Sequence, residues 1–120
     1  MKYLKQLGLV LVIIVVGTII DYVVHSASES FYVPFEYYRN KVLFGVFYGF
    51  LFLHVGRWLG IKKAEWLAFF SLAVVAISLQ LKYFLQGYDL FFVILFLFFH
   101  FFMFFIPGVF IFRRFRSIFE

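Results

Sequence analysis

The sequence predicts an all-α membrane protein, a four-helix transmembrane bundle. Its composition is 66% hydrophobic with 22 Phe, and its mean hydropathy is +1.04. Soluble domains hold only about 45–50% apolar residues, so a soluble fold could not cover this much apolar surface and the bilayer must act as solvent. Four apolar runs alternate with short polar or glycine-containing turns, and each run is close to the roughly 20 residues that cross a bilayer core. Lys and Arg gather at one set of run ends. The 120 residues suit a single integral domain, 1–120, with helices near 4–24, 35–59, 65–85 and 90–112. The chain has no Cys, which excludes disulfides, zinc–thiolate sites and redox thiols.

The first run, Leu4 to Val24, spans roughly 31 Å at about 1.5 Å per residue. Lys2 and Lys5 precede it, and Ser26-Ala27-Ser28 follows. Those features also belong to a cleaved signal peptide, but the run exceeds the usual h-region of about 7–15 residues and carries Asp21 near its end. It is therefore read as a retained span. Ser26 to Val33 connects it to the second helix. Val33-Pro34-Phe35-Glu36 reads as a helix start, with Pro at the first position and Glu in the first turn. Tyr32, Tyr37 and Tyr38 form an interfacial aromatic belt there. The apolar part, Val42 to Leu59, contains Gly45-Val-Phe-Tyr-Gly49, a pair that permits close helix approach.

Gly60-Ile61-Lys62-Lys63 is a basic turn into the third helix. Ala64, Ala68, Ser71, Ala73, Ala76 and Ser78 make that helix richest in small residues, which predicts that it sits at the centre of the bundle. Gln86-Gly87-Tyr88-Asp89 is the next turn, with Gly87 suited to a helix C-terminus and Asp89 to an N-cap. The fourth run, Leu90 to Phe112, is Phe-rich on all sides, and Pro107-Gly108 predicts a kink near its end.

Charge placement sets the orientation. With both termini inside, the inner side holds Lys2, Lys5, Arg57, Lys62, Lys63, Arg113, Arg114 and Arg116, and the outer side only Arg39, Lys41 and Lys82. The positive-inside rule then gives N-in, C-in. Such asymmetry suits the plasma (inner) membrane of a prokaryote. The basic tail is explained by this bias and by anionic lipid, so nucleic acid is not expected as a partner.

The candidate site residues for binding or transport are Asp21, His25, Lys41, Gln80, Tyr83, Asp89 and His100. Gly17, Asp21 and His25 recur every fourth residue and share one helical face. By helical rise Asp21 lies about 25 Å from Leu4, Gln80 about 21 Å from Trp66 and His100 about 15 Å from Leu90. If the faces carrying them point inward, Asp21, His25, Lys41, Gln80, Tyr83 and Asp89 wall a pocket open to the outside, with His100 as its floor. Ionisable groups within a membrane usually face a bundle interior or cavity.

A plainer account stands beside each residue. Asp21 pairs with Lys41 or Lys82, His25 is an interfacial histidine, Lys41 and Lys82 snorkel, Gln80 bonds between helices, and Tyr83 joins the belt. His54 and Arg57 are read as inner-interface groups. Asp21-x-x-x-His25 alone is a weak metal pattern, so no metal site is expected. Ser26, Ser28 and Ser30 lack a nucleophile-elbow motif, and no phosphate-binding or dinucleotide loop occurs. Neither a catalytic residue nor a cofactor is predicted.

Length and helix count are similar to those of the small multidrug-resistance transporters, with Gly17-Thr18 in helix one. That family carries a glutamate near the middle of helix one, where this chain has none; its only acid there is Asp21, near the outer end. The fluoride channels share the size, but their dual topology disagrees with the charge bias. The chain is assigned to neither. The favoured function is a non-enzymatic membrane component (a subunit, assembly or lipid-organising protein) whose polar residues join helices. The alternative is a small transporter, channel or ligand-binding protein with an outward-facing pocket around Asp21 and His25. A pathway between four short helices would need a homodimer or larger membrane complex. Gly45 and Gly49 are the candidate contact, unless that face is used within the bundle.

Overall fold

Backbone polar groups in lipid must be satisfied within the chain, which leaves long helices as the economical solution for apolar runs of this length. The computed structural model describes residues 2–27 and 33–120. It contains α1 (Lys2–Ser26), α2 (Phe35–Trp58), α3 (Ala64–Leu85), α4 (Leu90–Arg114) and a short α5 (Arg116–Phe119). The readings placed on Ser28, Ser30 and Tyr32 lie outside the described residues. Three long helices, α1, α3 and α4, are apolar enough by composition to cross a membrane. α2 is less apolar because Glu36, Arg39, Asn40, Lys41, His54 and Arg57 lie along it. α4 continues through Pro107 to Arg114.

The long helices form a closed ring. Each packs on the next in sequence, and α1 closes the ring against α4. The molecule measures 43 × 23 × 20 Å, and its long axis exceeds the roughly 30 Å hydrocarbon core. The ring corrects the expected central position of helix three. Its small residues let α3 press closely on both α2 and α4, but four helices around one core leave no middle place. The core lies between them, with Val10, Ile13, Ile14, Leu53, Leu67, Leu72, Val75 and Phe104 all buried.

α2 brings its glycines to this core. A Cβ on Gly45 would lie 2.9 Å from Ile14 Cγ2, and one on Gly49 would lie 3.0 Å from Val10 Cγ1. The Gly45/Gly49 face is thus occupied by α1 within the bundle and is not available as a contact for a second copy.

The end of the bundle that holds both chain termini is closed by α5, which sequence reading did not anticipate. Phe119 is fully buried and stacks on Phe112, with centroids 3.8 Å apart and planes 8° apart. Gln6 Nε2 donates to the Ile118 carbonyl at 2.8 Å, and Arg57 Nη1 donates to that of Phe119. Glu120 Oε1 accepts the first free amide of α3, Ala64 N–H, at 2.8 Å. Lys63, at the N-cap of α3, makes no side-chain cap bond, so Glu120 does that work from a distant part of the chain. Glu120→Ala is expected to lower stability by about 1 kcal/mol, the usual cost of losing an N-cap. Thermal unfolding in a mild detergent checks this, and no change in midpoint would mean water serves the amide equally well. Arg113 Nε and Arg116 reach Glu65, but these exposed pairs add little.

Candidate functional site

Asp21 occupies the inward face of α1, one turn above Gly17, and is fully buried. Across the ring, Lys41 leaves α2 one turn after Tyr37 and is also buried. The Lys41 ammonium donates to Asp21 Oδ2, and its other contacts are Tyr37 Oη at 2.7 Å and His100 Nε2 at 2.6 Å. An ammonium has three N–H groups, and these three partners use all of them. Its charge also lies 4.3 Å from the Tyr37 ring centroid, within cation–π range.

The other carboxylate oxygen, Asp21 Oδ1, faces His25 Nε2 at 3.3 Å and His100 Nε2 at 3.6 Å. His25 lies one turn further along α1, and its ring packs edge-on to Tyr37 and parallel to Phe96. His100 is held from α4 by a second set of contacts. Its Nδ1 is 2.7 Å from the Phe96 carbonyl and 3.0 Å from the Gln80 amide of α3. The network therefore joins all four long helices through Asp21, Lys41, Gln80 and His100. A lone buried charge is costly, but here the carboxylate and the ammonium are in contact and the ammonium's other hydrogens meet Tyr37 and His100, while Asp21 Oδ1 accepts no hydrogen bond among the described residues.

A cavity of about 560 Å³ opens above the network, at the end of the bundle opposite the termini. His25, Tyr37, Gln80, Tyr83, Phe96 and His100 are among its lining residues, with Glu36 and Lys82 among the charged ones. Its volume falls in the roughly 300–1,000 Å³ range of small-molecule sites. Below His100 the character changes. Ile13, Ile14, Val75 and Phe104 are fully buried. The polar side chains at that level are turned to their own helices: Thr18 donates to the Ile14 carbonyl at 2.7 Å and Ser71 to that of Leu67 at 2.8 Å. On one side of His100 the interior is polar and open, and on the other it is predominantly apolar.

Of the seven candidate residues, His25, Gln80, Tyr83 and His100 line the cavity, whereas Asp21 and Lys41, expected as its walls, pair with each other beneath it. Asp89 does neither. Its carboxylate is spent on the Phe92 amide at 3.3 Å as the N-cap of α4, and it is exposed. Lys82 is exposed as well and does not pair with Asp21 among the described ion pairs. Tyr37, read from sequence as part of the aromatic belt, proves to be a direct partner of Lys41. The i, i+4 spacing of Tyr37 and Lys41 was the available signal. Gln6, at the opposite end, was also missed as an interhelical donor. Among the described residues no group of three or more His, Asp or Glu side chains is arranged to hold a metal ion. The chain matches no protein-family model, no curated protein and no solved structure.

Proposed function

We propose that all four long helices cross the membrane, with both termini on the inner side, and that the protein is a non-enzymatic membrane component that holds a small ligand in the outward-facing cavity. The observation that carries this is the cavity's depth and its closed floor: it descends to Gln80 and His100 and meets the apolar core of Ile13, Ile14, Val75 and Phe104. A pore needs polar groups along its whole length, and just below His100 the buried hydroxyls among the described residues, Thr18 and Ser71, are bonded to their own helices, with Gln6 the next buried polar side chain, at the terminal end. A binding pocket needs only one mouth.

The α2 span is supported by its charges. Glu36 and Arg39 belong to its first turns and Arg57 to its last, where charges reach the interface. Lys41 is neutralised by Asp21 inside the bundle. The polar residues thus have two tasks. Asp21 and Lys41 tie α1 to α2, while Gln80, Tyr83 and His25 face the cavity. Eight basic residues at the terminal end against three elsewhere support the orientation, which suits a prokaryotic plasma membrane.

The absence of native Cys gives a clean test. Tyr83→Cys should react with a membrane-impermeant thiol reagent added to the outside of intact cells. Val75→Cys, nearly isosteric and in the apolar part, should react from neither side. An unreactive Tyr83→Cys would remove the outward pocket, and a reactive Val75→Cys would restore the pore.

A further inference from the structure

Resting on that pocket reading, we infer that the cavity accepts an uncharged planar ring bearing a carbonyl oxygen, the chemistry of a membrane quinone. Hydrogen-bond geometry at the floor fixes which groups donate. The Phe96 carbonyl can only accept, so the 2.7 Å contact places a proton on His100 Nδ1. This holds whether the proton between Lys41 and His100 Nε2 belongs to one or the other. Gln80 reaches the same Nδ1 with one end of its amide, at 3.0 Å. Two donors cannot face each other, so that end is the amide oxygen, reached by a half-turn that leaves the amide's shape unchanged. The Gln80 NH₂ is then the end left for the cavity that Gln80 lines. The floor therefore offers donors and selects for an acceptor.

The walls select for a flat ring. Tyr88, in the turn before α4, and Phe92 and Phe96, one turn apart on α4, line one side. Their rings follow one another at 6.5 Å and 4.4 Å between centroids, inclined by 21° and 35°. Tyr37 and Tyr83, in ring contact at 5.8 Å, are contributed by α2 and α3. Aromatic walls favour offset stacking on a planar guest.

Charge decides between a neutral guest and an ion. Lys41 and Asp21 neutralise each other below the floor, and neither lines the cavity. Glu36 and Lys82, both exposed, carry opposite signs. An ion entering as far as Gln80 and His100 would lose its hydration, and the carboxylate and ammonium that line the cavity among the described residues, Glu36 and Lys82, are exposed rather than buried beside it. A neutral ring with a polar carbonyl loses little and gains the Gln80 donor.

The test uses the full-length protein in lipid nanodiscs, with menadione as the probe and empty nanodiscs to correct for partition. Menadione should bind saturably. Gln80→Met, which keeps the volume and removes the donor, should weaken binding about tenfold, the value of one hydrogen bond. Phe92→Leu, away from the network, should weaken it several-fold while unfolding as the parent does. 2-Naphthoate, the charged counterpart, should not displace menadione. No saturable menadione binding in a protein whose Tyr83→Cys variant is still labelled would overturn the ligand class and leave the pocket standing. An unlabelled Tyr83→Cys would remove both. Displacement by naphthoate, or full-strength binding to Gln80→Met, would also overturn the neutral-carbonyl assignment.

Discussion

Lys41→Met is expected to lower the unfolding free energy by about 3–5 kcal/mol, the cost of leaving a buried charge without its partner. Asp21 is fully buried, and the Lys41 ammonium donates to it. Methionine fills a similar volume, so packing is nearly preserved and the loss isolates the charge. The carboxylate would then have to take up a proton or draw water into the bundle. Asp21→Asn should cost less, because Lys41 keeps its contacts to Tyr37 and His100. The double variant Asp21→Asn/Lys41→Met should recover most of the loss, since it removes both charges together. Denaturant titration in one detergent compares the three. A cost for Lys41→Met below about 1 kcal/mol, the scale of exposed pairs, would show that Asp21 is hydrated and that the pair does not hold α1 to α2. Natural domains have only about 5–15 kcal/mol to lose, so the expected cost is large enough to reduce the amount of folded protein.

The helices were legible because lipid imposes a length and forbids exposed backbone. Each apolar run therefore had to be a helix, and the turns at Lys62-Lys63 and Gln86-Gly87 marked where runs stopped. Convergence of Asp21, Lys41, Gln80 and His100 was legible for a related reason. Helical rise gives depth and helical phase gives face, and polar residues at similar depth in a small bundle have few places to go. Asp89 shows the limit of that reasoning. It shares the stripe of Val93 and His100, but an N-cap position offers its carboxylate a local amide, and local bonds win over distant ones. The ring arrangement was not legible, because a small-residue face permits close packing without saying how many neighbours share it. Nor was α5. The tail Arg113-Arg114-Phe115-Arg116 shows charge, whereas the burial of Phe119 against Phe112 is a tertiary event with no local pattern.

Gly17→Val is expected to separate α1 from α4 and to cost about 1–3 kcal/mol, the range for overpacking a close contact. A Cβ on Gly17 would collide with the Phe104 ring and lie 3.2 Å from the Met103 carbonyl oxygen. The ring can turn aside, but the carbonyl is fixed by its helix, so a branched side chain has to push the helices apart. Gly8→Val is the control: nothing lies within 4 Å of a Cβ there, so it reports the helix-propensity change alone, a few tenths of a kcal/mol in favour of the variant. Gly17→Ala/Phe104→Leu should cost less than the sum of its two single changes, because the smaller side chain vacates the space the new methyl needs. The consequence reaches the site. Gly17 lies one turn below Asp21, and Phe104 one turn below His100. The spacing that Gly17 permits is the spacing that brings His100 Nε2 to 3.6 Å from Asp21 and 2.6 Å from Lys41. Gly17→Val should therefore weaken menadione binding as well as lower stability, whereas Glu120→Ala, at the far end, should lower stability alone. Equal effects of the two on binding would mean that general loosening of the bundle, rather than the α1–α4 distance, governs the cavity.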